Sequence, residues 1–452
     1  MMVKFNENNM KKWFLAHGDA FETTSPLKVV CWLVLTFMPL DIWAQASADQ
    51  LFTRLRDSIY QIRIIELKSG SQSALGTGFL VAPNLLATNY HVVSSSVLEP
   101  EKYRIEITTD DKKTRPLSVA TVDVVHDLAV LEIDQSLSKL PFDLSTIPPK
   151  NGEKLYSLGN PHNLGLTIVE GNYNGMVENK FIEQIHFSGA INSGMSGGPT
   201  VNANAEVVGI NVATGGNQLG FLVPVDYLAR LIGVALDLPE NYDLLSDMAD
   251  QISASTDAML EFVLSSEWPE ENIGSAVVVR NTVDWLTCWG NSKDDKEKGI
   301  LNISRGCNNG DNIFINSRFT SGFFEYEYAF FEAENWPSAA FYRYLRSATG
   351  RARAGNRASE DDVENYRCVD KLVAPQQDKI SIASGEPTMS RRVSYCTRAY
   401  KKLPGLYDVF YIGVSQDHDN KAVLEHFTVA GVTKSSSLRF LKRFMGVLRW
   451  GS

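Results

Sequence analysis

A serine set among glycines, a histidine and an aspartate, each at the edge of an apolar run, are the residues of this chain whose types could do chemistry together. Ser196 lies in Ala190-Ile191-Asn192-Ser193-Gly194-Met195-Ser196-Gly197-Gly198-Pro199-Thr200, where a tight turn can present its hydroxyl outward. That arrangement suits acyl transfer. The hydroxyl attacks a carbonyl, and the backbone of Gly194, Met195 and Ser196, through the Gly194 and Ser196 N–H groups above all, holds the oxygen that becomes negative. His91 ends two apolar runs within Gly76 to Val93 and can serve as the base that a weak hydroxyl nucleophile needs, its pKa lying near working pH. Asp127, in His126-Asp127-Leu128-Ala129-Val130-Leu131, can hold the imidazole in the correct tautomer and stabilise the imidazolium.

The elements that must position these groups are short strands separated by polar turns. Alternation runs through Tyr60 to Leu67, Arg104 to Ile107 and Leu117 to Val125, then through Leu155 to Leu158, Leu166 to Val177, Phe181 to Phe187, Glu206 to Ala213 and Gly220 to Val223. Such a series predicts barrels rather than a parallel sheet. A lead-in helix over Asp49 to Arg56 and a closing helix over Val225 to Leu236 flank it.

From about Ile59 to Ile232 the chain resembles a trypsin-like serine protease of the chymotrypsin fold, closest to the bacterial HtrA/Deg group. The similarity rests on Thr88-Asn89-Tyr90-His91-Val92, Asp127 to Leu131, Leu158-Gly159-Asn160-Pro161, Ala190 to Pro199, Gly209-Ile210-Asn211 and Gly220 to Pro224. It implies an all-β domain of two six-stranded barrels, with His91 and Asp127 on the first, Ser196 on the second and the cleft between them. Met195 departs from the group's usual Asn. It also stands where trypsin has the aspartate that captures a new amino terminus, so no zymogen switch is implied.

The residue six before the nucleophile floors the primary specificity pocket in this family, and here it is Ala190. An uncharged floor offers no partner to lysine or arginine, so Ala190 and Ile191 imply cleavage after small or medium apolar residues. One methylene there is worth only about 1–3 kcal/mol, so the preference is loose. Asn211, Val212 and Ala213 form a strand able to pair with an extended substrate.

The chain has 452 residues, a length for two or three domains, and a formal charge of −10 without a long basic tract, which argues against nucleic acid as a partner. Residues 1–46 read as a signal peptide, with an apolar run from Val29 to Met38 and a small-x-small site at Ala44-Gln45-Ala46. Cys288, Cys307, Cys368 and Cys396 remain, an even set suited to an oxidising compartment. Of three possible pairings, Cys288 with Cys307 and Cys368 with Cys396 close the shortest loops. Zinc is the competing reading, without a Cys-x-x-Cys pair.

The texture changes at Leu238-Pro239, giving domains at 47–238 and 239–452. The second reads as α+β, of unknown role: a helix over Leu244 to Leu264, strand patterns at Ser275 to Arg280, Asn312 to Phe331, Leu406 to Val414 and Ala422 to Val432, and a last helix over Ser435 to Trp450 with Leu438, Leu441, Met445 and Leu448 on one face. It lacks the carboxylate-binding loop of the PDZ domains that follow HtrA proteases. His126 and His162 read as structural and surface residues, and Asp417-His418-Asp419-Asn420 as a hairpin turn rather than a metal site. Together these features lead to an exported, periplasmic or secreted, serine endopeptidase acting on unfolded or extended polypeptides, without cofactor or metal. The alternative is a latent or gated protease fold that acts as a binding or chaperone module.

Overall fold

Leu128-Ala129-Val130-Leu131 is buried at every position, unlike a strand with one wet face. The reason is that it serves two cores. Ala129 and Leu131 pack inside the first barrel, while Leu128 and Val130 face a cluster shared with Tyr156, Leu158, Val207, Ile210 and Val223 of the second.

The structure, a computed structural model, describes residues 47–109, 113–161, 164–216, 219–373, 389–415 and 419–451. The expected signal peptide, His162, Asp417 and His418 lie outside them. The described residues pack as one compact unit.

Six antiparallel strands, β1 Ile59–Glu66, β2 Gln72–Ala82, β3 Leu85–Thr88, β4 Tyr103–Thr108, β5 Thr114–Asp123 and β6 Leu128–Glu132, close a barrel in the order β1-β2-β3-β6-β5-β4. Then β7 Lys154–Gly159, β8 Thr167–Met176, β9 Ile185–Phe187, β10 Pro199–Val201, β11 Val207–Gly216 and β12 Leu219–Pro224 close a second barrel in the same cyclic order. This is the chymotrypsin-like fold. Helix α1 (Ala48–Leu55) places Leu51 and Leu55 in the cluster between the barrels. Helix α2 (Tyr90–Leu98) leaves the end of β3, and α3 (Val225–Leu236) follows β12.

The chain then returns to the first barrel. Helix α4 (Leu244–Ser265), capped by the Asp243 carboxylate on the Leu245 and Ser246 N–H groups, docks its N-terminal half on β5. Gln251 accepts from Val124 N at 2.8 Å and donates to Val122 O at 2.8 Å. A three-stranded sheet follows, of β13 Glu270–Ile273, β14 Ala276–Val279 and the terminal β24 Arg449–Trp450. A seven-stranded antiparallel sheet runs in the order β15 Thr287–Asp295, β16 Ile300–Asn308, β19 Phe324–Ala333, β23 Lys421–Val432, β22 Tyr407–Ser415, β21 Arg391–Ala399 and β20 Arg367–Val373. A separate hairpin pairs β17 Ile313–Asn316 with β18 Phe319–Ser321. Helix α5 (Ser338–Thr349) covers one face of the large sheet with Phe341 and Leu345.

The disulfides are Cys288–Cys307 and Cys368–Cys396, each joining an edge strand of the large sheet to its neighbour in direct register. The last helix differs from expectation. Helix α6 spans Lys434–Phe444, and its buried residues include Phe440 and Phe444, while Leu438 is 51% exposed. Phe440 and Phe444, one turn apart, stack into an aromatic cluster with Phe427, Tyr328 and Tyr411. Beyond Phe444 the chain turns and pairs as β24 with β14.

Candidate active site

Asn89 is extended, with φ −82° and ψ 149°, and starts α2, so Asn89, Tyr90 and His91 present their N–H groups to one side. They converge on one residue, Asp127. Its carbonyl accepts from Asn89 Nδ2 at 2.8 Å and Tyr90 N at 3.1 Å, and its carboxylate accepts from His91 N at 2.8 Å. The other carboxylate oxygen lies 2.5 Å from His91 Nδ1. Asp127 holds φ at +58°, a left-handed conformation that costs a non-glycine residue roughly 1–3 kcal/mol and persists where neighbours over-determine it. These four hydrogen bonds do so. With Nδ1–H given to Asp127, Nε2 is left as the acceptor. Burial disfavours the His91 cation, but the charge of Asp127 and its hydrogen bond outweigh that, and the pKa is raised above the ordinary histidine value.

Asn192 to Met195 form a turn closed by Met195 N donating to Asn192 O at 2.9 Å. Gly194, third in the turn, has φ +95°, the type II arrangement, in which the central peptide is turned over relative to type I. Among the described residues neither the Gly194 N–H nor the Ser196 N–H donates to a protein acceptor. Met195 is corrected from the expected set: its N–H is committed to Asn192 and its side chain is fully buried in the second barrel. Ser196 itself is partly exposed.

The first barrel holds this turn through residues that sequence reasoning missed. Thr77 N donates to Ser196 O at 2.9 Å, and Thr77 Oγ1 donates to Gly194 O at 2.7 Å while accepting from Asn160 N at 3.0 Å. Gly197, φ +82°, packs so closely that an added Cβ would lie 2.2 Å from Thr88 Oγ1 and 2.8 Å from Asn89 N. Ser196 thus adjoins the segment that carries His91. Ser196 Oγ and the His91 ring are not hydrogen-bonded to each other in this structure, a contact that in such sites often tightens only with substrate.

Two expected substrate contacts are corrected. The Asn211 side chain is wholly buried, accepting from Ser157 Oγ at 2.8 Å and Thr200 Oγ1 at 2.7 Å and donating to Leu158 O and Met195 O. Ile191 is 3% exposed, in the core of the second barrel. Ala190 and Val212 are half-buried, and Ala213 pairs with Phe221 across a bulge that leaves Val212 out of the ladder. His126 bonds Asp123 Oδ2 through Nδ1 at 2.7 Å and stacks on Tyr227 at 3.6 Å, a structural role. Among the described residues no group of acidic, histidine and cysteine side chains could hold a metal ion.

Residues 76–210 match the trypsin-like peptidase domain family model. A probable periplasmic serine endoprotease, DegP-like, from Chlamydia pneumoniae is 34% identical over 179 residues, 37% of this chain and 35% of that protein. The mitochondrial serine protease HTRA2 of Drosophila grimshawi is 28% identical over 42% of this chain and 45% of its own length. The chain thus spans less than half the length of these relatives. The crystal structure of the serine endoprotease from Yersinia pestis aligns with 42% of this chain and 67% of that one, at 23% identity and a TM-score of 0.37. The region of the two barrels is thus similar to trypsin-like peptidase domains, and the curated proteins that it matches are serine proteases of the HtrA/DegP family.

Proposed function

We propose that this chain is a serine endopeptidase. Ser196 attacks the scissile carbonyl, His91 takes its proton and returns it to the leaving amine, and Asp127 orients His91 and stabilises its cation. The Gly194 and Ser196 N–H groups receive the oxyanion, and a lost donor of this kind typically costs about 2.7–4 kcal/mol of barrier. The observation that carries the reading is the pairing of His91 with Asp127 beside a serine turn whose two N–H groups have no protein acceptor.

The substrate is an extended polypeptide. Strand β11 leaves β10 after Ile210 while keeping its pairing with β12, which offers an edge near the serine for a substrate strand. Ala190 supports cleavage after small or medium apolar residues. Two disulfides support an exported protein in an oxidising compartment, periplasmic or secreted. No helix among the described residues is long and apolar enough to cross a membrane.

One observation favours a gated form of the same enzyme: Ser196 and His91 are not yet hydrogen-bonded to each other. A fluorophosphonate probe and an unfolded protein substrate test both. Labelling and cleavage by the full chain, lost in Ser196→Ala with the fold intact, support the proposal. Retained cleavage of the same bonds by Ser196→Ala refutes it. Labelling that appears only with added peptide identifies gating.

A further inference from the structure

The hairpin of β17 and β18, more than a hundred residues after Ser196 in the chain, packs on the helix that carries His91. Phe314 reaches that helix with its ring centroid 6.0 Å from the imidazole of His91, at an interplanar angle of 76°. It also meets Tyr90, at 6.4 Å. Tyr90 is fully buried, and its hydroxyl donates to Ile315 O at 3.0 Å, fastening β17 to the first turn of α2. Ile313, Ile315 and Phe319 lie in the same hydrophobic cluster as Tyr90, Val93 and the interior of the first barrel.

The hairpin is held from behind as well. Phe319 packs edge-on against Tyr400 at 4.7 Å, Tyr400 donates to Asp408 Oδ1 at 2.6 Å, and Asn316 Nδ2 donates to Asp362 Oδ1 at 2.9 Å. Asp311, just before β17, pairs with Lys180 of the second barrel. Phe314 is therefore a fixed aromatic ring beside the histidine, and it is half-buried while its neighbours Ile313 and Ile315 are buried.

We infer that Phe314 is a positioning and specificity-determining residue of the active site: its ring braces the His91 imidazole against Asp127 and forms an apolar wall of the cleft. This rests on the proposed protease reading and deepens it, because it makes the region after Pro239 part of the site. Two consequences follow. The brace shields one side of the partly exposed His91 ring from water, and the wall meets a substrate side chain close to the scissile bond. Among the described residues Asp127 is the charged group that acts directly on His91, Asp362 acts on Tyr90 and not on His91 and is bonded by Asn316, and β17 carries no charge. Loss of the ring lessens the burial that opposes protonation while leaving Asp127 in place, so the His91 pKa rises further and less neutral base is present near pH 7.

The test compares full-length wild type, Phe314→Ala, Phe314→Leu and Tyr90→Phe, with fluorophosphonate labelling and kcat and KM across pH on peptides that vary beside the scissile bond. Phe314→Ala is expected to lose roughly 5–10-fold in kcat/KM at pH 7, with its acidic limb moved to higher pH. Its KM should rise more for peptides with bulky apolar side chains than for glycine-bearing ones, and Phe314→Leu should restore most of both. Tyr90→Phe, which cuts the tie to Ile315 and keeps the ring, should shift the limb in the same sense by less, and it serves if Phe314→Ala does not fold. A Phe314→Ala enzyme that labels, melts normally and keeps the wild-type pH profile and peptide preference overturns this inference alone. A wild type that neither labels nor cleaves overturns the protease reading and this inference with it.

Discussion

Thr77 and Gly194 belong to different barrels, and the Thr77 hydroxyl donates to the Gly194 carbonyl at 2.7 Å. This bond, with the one from Thr77 N to Ser196 O, fixes the turn of the second barrel against the sheet that leads to His91. The Ser196 turn and the segment that carries His91 are thereby registered to each other by backbone as well as by side chains.

Replacing Thr77 by Val keeps the shape and removes the hydroxyl. Gly194 O and Asn160 N then lose a buried partner, at about 1–3 kcal/mol for an unsatisfied group. We expect kcat on a small ester substrate to fall roughly 10- to 100-fold with KM little changed. Thr77→Ser should retain most activity. Steady-state kinetics of the three proteins check this.

Asp127→Asn keeps the size of the side chain but can offer an N–H where His91 Nδ1 now donates, which selects the wrong tautomer. A loss of kcat on the order of 10⁴ is expected for such a triad. Labelling of Ser196 by fluorophosphonate should slow in parallel, while far-UV circular dichroism stays unchanged.

The raised His91 pKa has a sign in both activity and stability. His91 acts as a base only when neutral, so kcat/KM should fall on acidification with a midpoint above the ordinary histidine value of about 6.5. Because the folded pKa exceeds the unfolded one, protonated His91 stabilises the fold below about pH 6.5, and that stabilisation is lost as pH rises through the folded pKa. The advantage of wild type over Asp127→Asn should therefore shrink between pH 5.5 and pH 8.5, read from urea midpoints. A gap that widens over that window contradicts the assignment of the pair.

Each disulfide staples an edge strand of the seven-stranded sheet across 19 or 28 residues of chain. Cys288→Ser with Cys307→Ser, or Cys368→Ser with Cys396→Ser, should each lower stability by about 2–4 kcal/mol. Urea unfolding monitored by tryptophan fluorescence measures it.

Much of the region from Ile59 to Leu236 was legible because each signal is local. Alternating strands, a glycine-bounded serine, Asn89 before His91, and Asp127 before a doubly apolar strand declare themselves within a few residues. The aromatic helix face of Phe440 and Phe444 was missed because the pattern was sought in leucine and methionine. Asn211 was misplaced because strand position alone does not say which face meets substrate and which meets the core, and Ile191 because nearness in sequence to the pocket floor does not say which side chain lines it.

The sequence by itself determined the kinds of groups, their order and a series of short strands suited to barrels, with the two-barrel arrangement implied by its resemblance to a family, since hydrogen-bonding type, charge and strand periodicity are properties of residues and their near neighbours. Only the tertiary structure decided that Thr77 locks the serine turn from the opposite barrel, that Asn211 is a buried hub, and that Phe314 lies beside His91. Those relationships join residues 11 to 223 positions apart, and they arise from close packing of separate surfaces, which no periodicity along the chain encodes.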